Sequence, residues 1–456
     1  MNVVRRECFG AIIIGDGDDD VWVMDDAAIS LAKMCEKMRF EREAIARAIE
    51  NEWGEDSEDV LQVFDFLEHL GILTAENLRV LNDDTQVIKG ALSVPLQVYL
   101  FLTKACNLRC RHCFDNSGTE SAGMLTFDEI ESLLVELQRL GVKRLALSGG
   151  EPLVRTDFIQ ILELGAHLGF RINVTSNGTL IDDSVAQQIA EVKEALRFFL
   201  VSIEGPEDIH NAIRGDGTFQ SAIQGLKALR RAGVEAGFTT TLNALNLSRV
   251  DALFSLAQSL ALEGFSLSII KLAGRAATDL PLCGFSPDQL DKTLDEIRYL
   301  EQKTGINVYM KELDSTSDDL ELAKVLGASK CAAGLFTASI TANGDVVACP
   351  YLESIRTDFG FSVMNIRKLP FSAIWRQAPE FRYIRESNVD PRCASCERHK
   401  TDCFAGCPAT AYQVTGDPYA PSPFCRLYGL GDRKLSDAVR ARQEEITIGS
   451  KLHLRG

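Results

Sequence analysis

A chain of 456 residues, 46% hydrophobic and 25% charged, can bury two or three cores of ordinary globular composition, which excludes a disordered, collagen-like or disulfide-stapled scaffold. Its formal charge of −17 opposes the phosphate backbone, so nucleic acid is not expected as a partner. The first twenty residues hold only a four-residue apolar run before acids intervene, too short for a secretory signal. Ala91–Ala105 is broken by Pro95, Gln97 and Lys104 and falls short of a bilayer span, so a cytoplasmic chain without a membrane partner is expected.

Residues 1–85 carry 21 acidic against 8 basic side chains and read as a module of their own. Apolar runs at Ala11–Ile14 and Val21–Met24 flank the acidic turn Asp16–Asp20, the pattern of a hairpin. Three helical periodicities follow, Ala27–Met38, Glu41–Trp53 and Ser57–Leu70, the last stopped by Gly71. A hairpin followed by three short helices resembles the winged-helix RiPP recognition element, which binds the leader of ribosomally made precursor peptides. A helical oligomerisation or regulatory cap is the alternative reading of the same pattern.

From Leu96 onward strands and helices alternate. Six strands are expected near Gln97–Thr103, Val142–Ser148, Phe170–Thr175, Leu196–Ile203, Val234–Thr241 and Gly264–Ile270, the spacing of βαβ units in a parallel α/β sheet. One crossover shows the local logic: Thr126 and Glu129 form a capping box, Ile130, Leu133, Leu134, Leu137 and Leu140 make one apolar face, and Gly141 ends the helix.

Ligand sites in parallel α/β folds lie beyond the C-terminal ends of the strands, and here those exits carry unusual residues. Cys106, Cys110 and Cys113 follow the first strand, Ser148-Gly149-Gly150-Glu151-Pro152 the second, and Ser176-Asn177-Gly178-Thr179 the third. Ser202-Ile203-Glu204-Gly205, Asn243 and Gly274-Arg275-Ala276 follow the others. Three thiolates at C-x3-C-x2-C can hold three irons of a cubane and leave the fourth open, whereas a closed structural site wants four ligands. A zinc site using His112 or a remote ligand is the alternative.

The cysteine loop together with Ser148–Pro152 resembles the radical S-adenosylmethionine superfamily over about residues 95–280. The resemblance implies a partial (β/α)6 TIM-like barrel, a [4Fe-4S] cluster on the three cysteines, and S-adenosylmethionine on the open iron. Reductive cleavage there yields a 5′-deoxyadenosyl radical. It further implies cofactor contacts from Ser148, Gly149, Gly150, Glu151, Asn177, Ser202 and Glu204, each of which also fits an ordinary turn or cap. His210 and Arg214 resemble a stretch recurrent in the peptide-modifying branch and are expected to support the site.

Seven further cysteines crowd the last third: Cys331, Cys349, Cys393, Cys396, Cys403, Cys407 and Cys425. Their spacing resembles the SPASM extension, with one residue inserted between Cys396 and Cys403; a zinc ribbon is the alternative. The resemblance implies two auxiliary clusters, one on Cys393, Cys396, Cys403 and Cys425 and the other on Cys331, Cys349 and Cys407. No cysteine falls in Val325–Lys330 to complete the latter. Cys8, Cys35 and Cys283 are expected to be small buried hydrophobes. Sulfatase-maturing members carry an aspartate after the position of Cys349, where this chain has Pro350 and Tyr351, which disfavours formylglycine formation.

Together these resemblances imply a leader-binding module at 1–85, a radical barrel at 95–280, a SPASM region at 325–430 and a tail at 431–456. The implied partners are a precursor peptide and an electron donor such as flavodoxin or ferredoxin. The expected outcome is a thioether or carbon–carbon cross-link, with epimerisation, decarboxylation, backbone excision or formylglycine-type oxidation as other outcomes. A non-catalytic leader-binding or electron-carrying protein is the alternative of another class.

Overall fold

The structure, a computed structural model, describes residues 2–15, 21–24, 26–69, 78–81, 87–119, 122–310, 322, 324–326, 331–386, 389–399, 403 and 405–453. The acidic turn Asp16–Asp20 and Gly71 lie outside the described residues.

Strands β1 (Asn2–Glu7), β2 (Gly10–Ile14) and β3 (Val21–Met24) pair antiparallel, and β4 (Leu78–Val80) joins parallel to β1, in the order β3-β2-β1-β4. Helices α1 (Asp26–Lys37), α2 (Arg42–Trp53) and α3 (Ser57–His69) match the three expected periodicities. Because side chains alternate along a strand, Val4, Ala11 and Ile13 pack with Ile29, Cys35, Ile45 and Phe64 of the helices. Val3, Ile12 and Ile14 point the other way, against Ala91, Leu92, Leu96, Leu335 and Phe336 of the rest of the chain. Both faces of this small sheet are therefore buried. A closed polar knot reinforces the second contact. Fully buried Arg5 donates through Nε to Glu7 (2.6 Å) and through Nη2 to Val94 O (2.8 Å), and Glu7 accepts the Ser93 N–H (2.6 Å).

The six expected strands are present as β5 (Gln97–Phe101), β6 (Arg144–Ser148), β7 (Arg171–Ser176), β8 (Leu196–Ser202), β9 (Ala236–Leu242) and β10 (Gly264–Ile269), all parallel in sequence order. Their crossovers are α4 (Phe127–Leu140), α5 (Phe158–His167), α6 (Asp183–Ala190), α7 (Glu207–Arg214), α8 (Thr218–Arg231) and α9 (Val250–Ser259). The α4 capping box forms as expected, and Gly141 closes the helix at φ +82°. After α10 (Pro287–Thr304), β11 (Asn307–Met310) extends the parallel sheet beyond β10. On the opposite edge β12 (Thr337–Ile340) pairs parallel with β5, and β13 (Asp345–Val347) and β14 (Met364–Asn365) add antiparallel. The partial barrel is thus an open ten-stranded sheet continued by the C-terminal cysteine-rich region.

The C-terminal helices are α11 (Glu353–Asp358), α12 (Phe371–Gln377), α13 (Pro379–Arg385), α14 (Pro391–Ala394), α15 (Pro408–Thr415) and α16 (Leu435–His453), of which α12 packs on α4 and β13, and α16 on α15 and the turn Leu280–Cys283. Buried Trp375 donates to Leu92 O (3.0 Å), and Arg367 pairs with Glu129 at the start of α4 (2.5 and 2.8 Å) while donating to Gly123 O and Met124 O. Among the described residues, no helix is long and apolar enough to cross a membrane.

Candidate cofactor and cluster site

The loop after β5 carries Cys106, Cys110 and Cys113 and is held from three sides. Its own return binds it, with Cys106 N–H on Gly118 O (2.9 Å) and Gly118 N–H on Lys104 O (3.0 Å). The loop after β10 clamps it: Arg275 donates from its backbone to Cys113 O (2.9 Å), from Nε to Cys110 O and from Nη1 to Ser117 O (both 2.8 Å). That approach requires Gly274, since a Cβ there would lie 2.3 Å from Phe114 O. Arg111 supplies the third hold through a two-pronged pair with Asp279 (2.7 and 3.0 Å) and its N–H to Ile213 O.

None of the thirteen cysteines is in a disulfide. Burial pushes Cys106 up to about 11, and the neighbouring Glu151, Cys110 and Cys113 push the same way, so the three thiols lie within electrostatic reach of one another. Such thiols stay protonated on their own and become thiolates when iron takes the proton's place. Three neighbouring thiols with no fourth from this loop suit the donor set of a cubane with one open iron.

The Ser148–Pro152 loop lies directly against the cysteine loop. Gly150 N–H donates to Thr103 O (2.6 Å) and Glu151 N–H to Ala105 O (2.9 Å). A Cβ on Gly149 would fall 2.6 Å from Thr103 O, and one on Gly150 2.2 Å from Ala105 O. The two glycines therefore allow two backbones to touch. Glu151, 1% exposed, caps the turn Pro152–Val154 through Leu153 N–H (3.2 Å) and accepts from Ser176 Oγ (2.8 Å) and Asn177 N–H (2.7 Å). Burial raises its pKa against those bonds. Asn177 in turn donates to Asn107 on the cysteine loop (2.8 Å) and accepts from Thr179. Ser202 is buried at the end of β8.

Glu204 is fully buried. Its Oε1 lies 2.8 Å from His112 Nε2 and accepts from Arg214 Nε (2.9 Å) and Nη2 (2.6 Å), while Oε2 accepts the Thr241 N–H (2.9 Å). Burial pushes its pKa upward, but His112, Arg214 and Thr241 outweigh it and hold the carboxylate ionised. An ionised partner accepts only, so His112 carries its proton on Nε2. Arg214 Nη1 reaches Cys110 Sγ at 3.7 Å, and His210 Nδ1 accepts the Glu204 N–H at 3.2 Å. His210 and Arg214 thus meet at Glu204. In this structure both Glu151 and Glu204 spend their oxygens on protein donors.

Cys331, Cys349 and Cys407 form a second group. Burial raises Cys349 well above the ordinary thiol range, with Cys331 and Cys407 acting on it in the same sense. A cavity of about 630 Å³ opens beside Cys331, lined also by Leu352, Glu380, Tyr383, Arg385 and Pro408, while Cys349 and Cys407 are not among its lining residues. Arg356 binds Glu380 at 3.0 Å, and burial raises that carboxyl to about 7. Phe114, next to Cys113, meets Tyr351, two residues after Cys349, edge to face at 4.8 Å, linking the two cysteine groups. Cys393 and Cys396 sit on the turn closing α14, with Cys396 N–H on Cys393 O (3.1 Å), and Cys403 N–H reaches Arg398 O (3.1 Å). Cys425 N–H caps Ser422 O (2.9 Å). Among the described residues no three His, Cys, Asp or Glu groups close around a single metal ion.

Cys35 and Cys283 are buried as expected, but Cys8 is not: it occupies the exposed turn between β1 and β2, where a chain reversal leaves no core to enter. Sequence reasoning did not assign roles to Arg111 and Asp279, which are 168 residues apart and carry no local pattern.

Residues 100–257 match the family model of the Radical SAM superfamily and residues 331–397 that of the SPASM iron–sulfur cluster-binding domain. The chain thus carries a radical SAM domain and a SPASM domain, which imply S-adenosylmethionine, a [4Fe-4S] cluster and auxiliary iron–sulfur centres as its cofactors. It is 29% identical over 350 residues to the AdoMet-dependent heme synthase of Methanosarcina barkeri, covering 73% of this chain and 96% of that one. It is also 29% identical over 353 residues to the mycofactocin maturase MftC of Mycolicibacterium smegmatis, covering 73% and 83%. SuiB of Streptococcus suis, solved with the precursor peptide SuiA, shares the fold at a TM-score of 0.68 and 17% identity, covering 93% of this chain and 100% of that one.

Proposed function

We propose that the protein is a peptide maturase that acts on a ribosomally made precursor, with residues 1–85 binding the leader and the strand exits of the barrel holding the reacting segment. The observation that carries this reading is the reach of the SuiB likeness, since 93% coverage cannot be attained without most of residues 1–85. SuiB is a protein crystallised with a precursor peptide. The heme synthase of Methanosarcina barkeri leaves about a quarter of this chain without a counterpart. Among the described residues β3 is an edge strand of the small sheet, and Val23 on it is 38% exposed, which suits addition of an extended leader as a further strand.

In this reading Cys106, Cys110 and Cys113 hold the barrel cluster, Ser148, Gly149, Gly150, Asn177 and Ser202 face S-adenosylmethionine, and Glu151 and Glu204 fix the loops that do so. When bound, cluster and cofactor supply hydrogen abstraction from a carbon centre. Cys331, Cys349 and Cys407 carry one auxiliary cluster, and Cys393, Cys396, Cys403 and Cys425 another. A cross-link to a peptide cysteine is the favoured outcome, because three thiols leave one iron able to take a substrate thiolate.

The test is anaerobic incubation of the reconstituted, reduced protein with S-adenosylmethionine and candidate precursor peptides from short reading frames near its gene. The expected result is 5′-deoxyadenosine together with a peptide lighter by two hydrogens. A second reading, favoured by the relatives named heme synthase, takes a tetrapyrrole as substrate. Turnover of a porphyrin carboxylate, with the peptide inert, would establish it instead.

A further inference from the structure

Arg214 stands between a buried carboxylate and a cysteine thiol. Two of its nitrogens, Nε and Nη2, are spent on Glu204 at 2.9 and 2.6 Å, and the third, Nη1, points at Cys110 Sγ from 3.7 Å. Its side chain is only 11% exposed, so water screens its charge poorly. Glu204, at 0% exposure, is itself gripped by Thr241 N–H and His112, and His112 sits between Cys110 and Cys113 in the chain. The planar guanidinium is thereby fixed with one N–H aimed at sulfur. A helix surface or a salt bridge for stability would need none of this aim.

We propose that Arg214 sets the reduction potential of the barrel cluster, by donating an N–H···S hydrogen bond to Cys110 and placing a positive charge beside it, while Glu204 tempers that charge. Arg214 is a positioning residue in this role, and the inference rests on the assignment of Cys110 as a cluster ligand. Reduction adds one electron to the cluster, so a nearby cation and a sulfur-directed donor favour the reduced form and a nearby carboxylate opposes it.

The two partners therefore have opposite signatures. Arg214→Gln should move the midpoint of the barrel cluster to more negative potential, by at least tenfold in the reduction equilibrium, or 59 mV for one electron. Glu204→Gln should move it to more positive potential, and Arg214→Lys should fall between Arg214→Gln and the wild type. The measurement is a dithionite titration of the reconstituted full chain followed by electron paramagnetic resonance, with iron counted per chain. A role confined to folding would shift both variants alike or strip iron from both. Unchanged midpoints with full iron overturn the inference, and unchanged midpoints with weaker S-adenosylmethionine binding assign Arg214 to the cofactor instead. Should Arg214→Gln lose its iron, Arg214→Lys against Glu204→Gln carries the same comparison of sign. Cys110→Ala separates the two levels: if it keeps the titrating signal, the ligand assignment fails, and if it loses that signal while the arginine variants stay at the wild-type midpoint, only the present inference fails.

Discussion

Buried ionisable groups at this site are each held in one state by named neighbours. His210 has no exposed surface, and burial lowers its pKa to about 4, with Arg214 acting in the same direction. Its Nδ1 accepts the Glu204 N–H, so protonation there would set two donors against each other. The unfolded chain takes up this proton near 6.5, so the contribution to stability is fully present above that pH and is lost as the pH falls toward 4. Between pH 7 and 5.5 the protein should lose about 1 kcal/mol through this one group. His210→Asn, which keeps an acceptor for Glu204, should flatten that slope in urea unfolding at the two pH values, and an unaltered slope would contradict the account. Cys349 gives a second test at this scale. Raised by burial and within reach of both Cys331 and Cys407, it should be indispensable to the cluster there, and Cys349→Ala should lower iron by roughly four atoms per chain, the content of one cubane. Iron analysis beside zinc analysis checks this, and an unchanged iron count with zinc lost would turn the region into a structural zinc site.

At the scale of loops and strands, the Ser148–Pro152 loop works by touching the cysteine loop. Gly150→Ala would place a methyl group 2.2 Å from Ala105 O, a backbone atom that cannot rotate away, so the two loops must separate. The expected result is a loss of S-adenosylmethionine binding of tenfold or more with the barrel cluster still assembled, read by equilibrium dialysis against iron content. Retained affinity would show that the loop contact is dispensable. The sequence made this region legible because each barrel strand carries its own apolar run and each exit its own motif. β1 was missed for a physical reason: Arg5 and Glu7 occupy inward positions of that strand, and their charges read as surface until the knot with Ser93 and Val94 is seen. β12, β13 and β14 were missed because strands of two to four residues owe their existence to pairing with β5 and with each other. The hold of Arg111 on Asp279 and of Arg275 on the cysteine loop depends on chain segments brought together only by the completed sheet.

Across the whole molecule, the N-terminal module shares a core with the barrel. Val3, Ile12 and Ile14 lie against Ala91, Leu92, Leu96, Leu335 and Phe336, and Trp375 from the C-terminal region seals the same seam through Leu92 O. Removing residues 1–85 would uncover these side chains and leave Ser93 without Glu7, so the truncated chain should lose solubility and thermal stability whatever the module recognises. A loss of peptide turnover after truncation is then no proof of leader binding. The informative change is at β3, an edge of the small sheet among the described residues, where Val23 is 38% exposed and pairs with Ile12. Val23→Glu adds a charge to an edge that already belongs to an acidic module, at a 38% exposed side chain on the margin of the face that carries Ile12. Melting should occur at the wild-type temperature, while the affinity for the precursor leader, measured by fluorescence anisotropy of labelled peptide, should fall about tenfold, equivalent to about 1.4 kcal/mol. Equal affinity of Val23→Glu and wild-type protein would remove the β3 edge as the docking strand and leave residues 1–85 as a cap that completes the barrel's core.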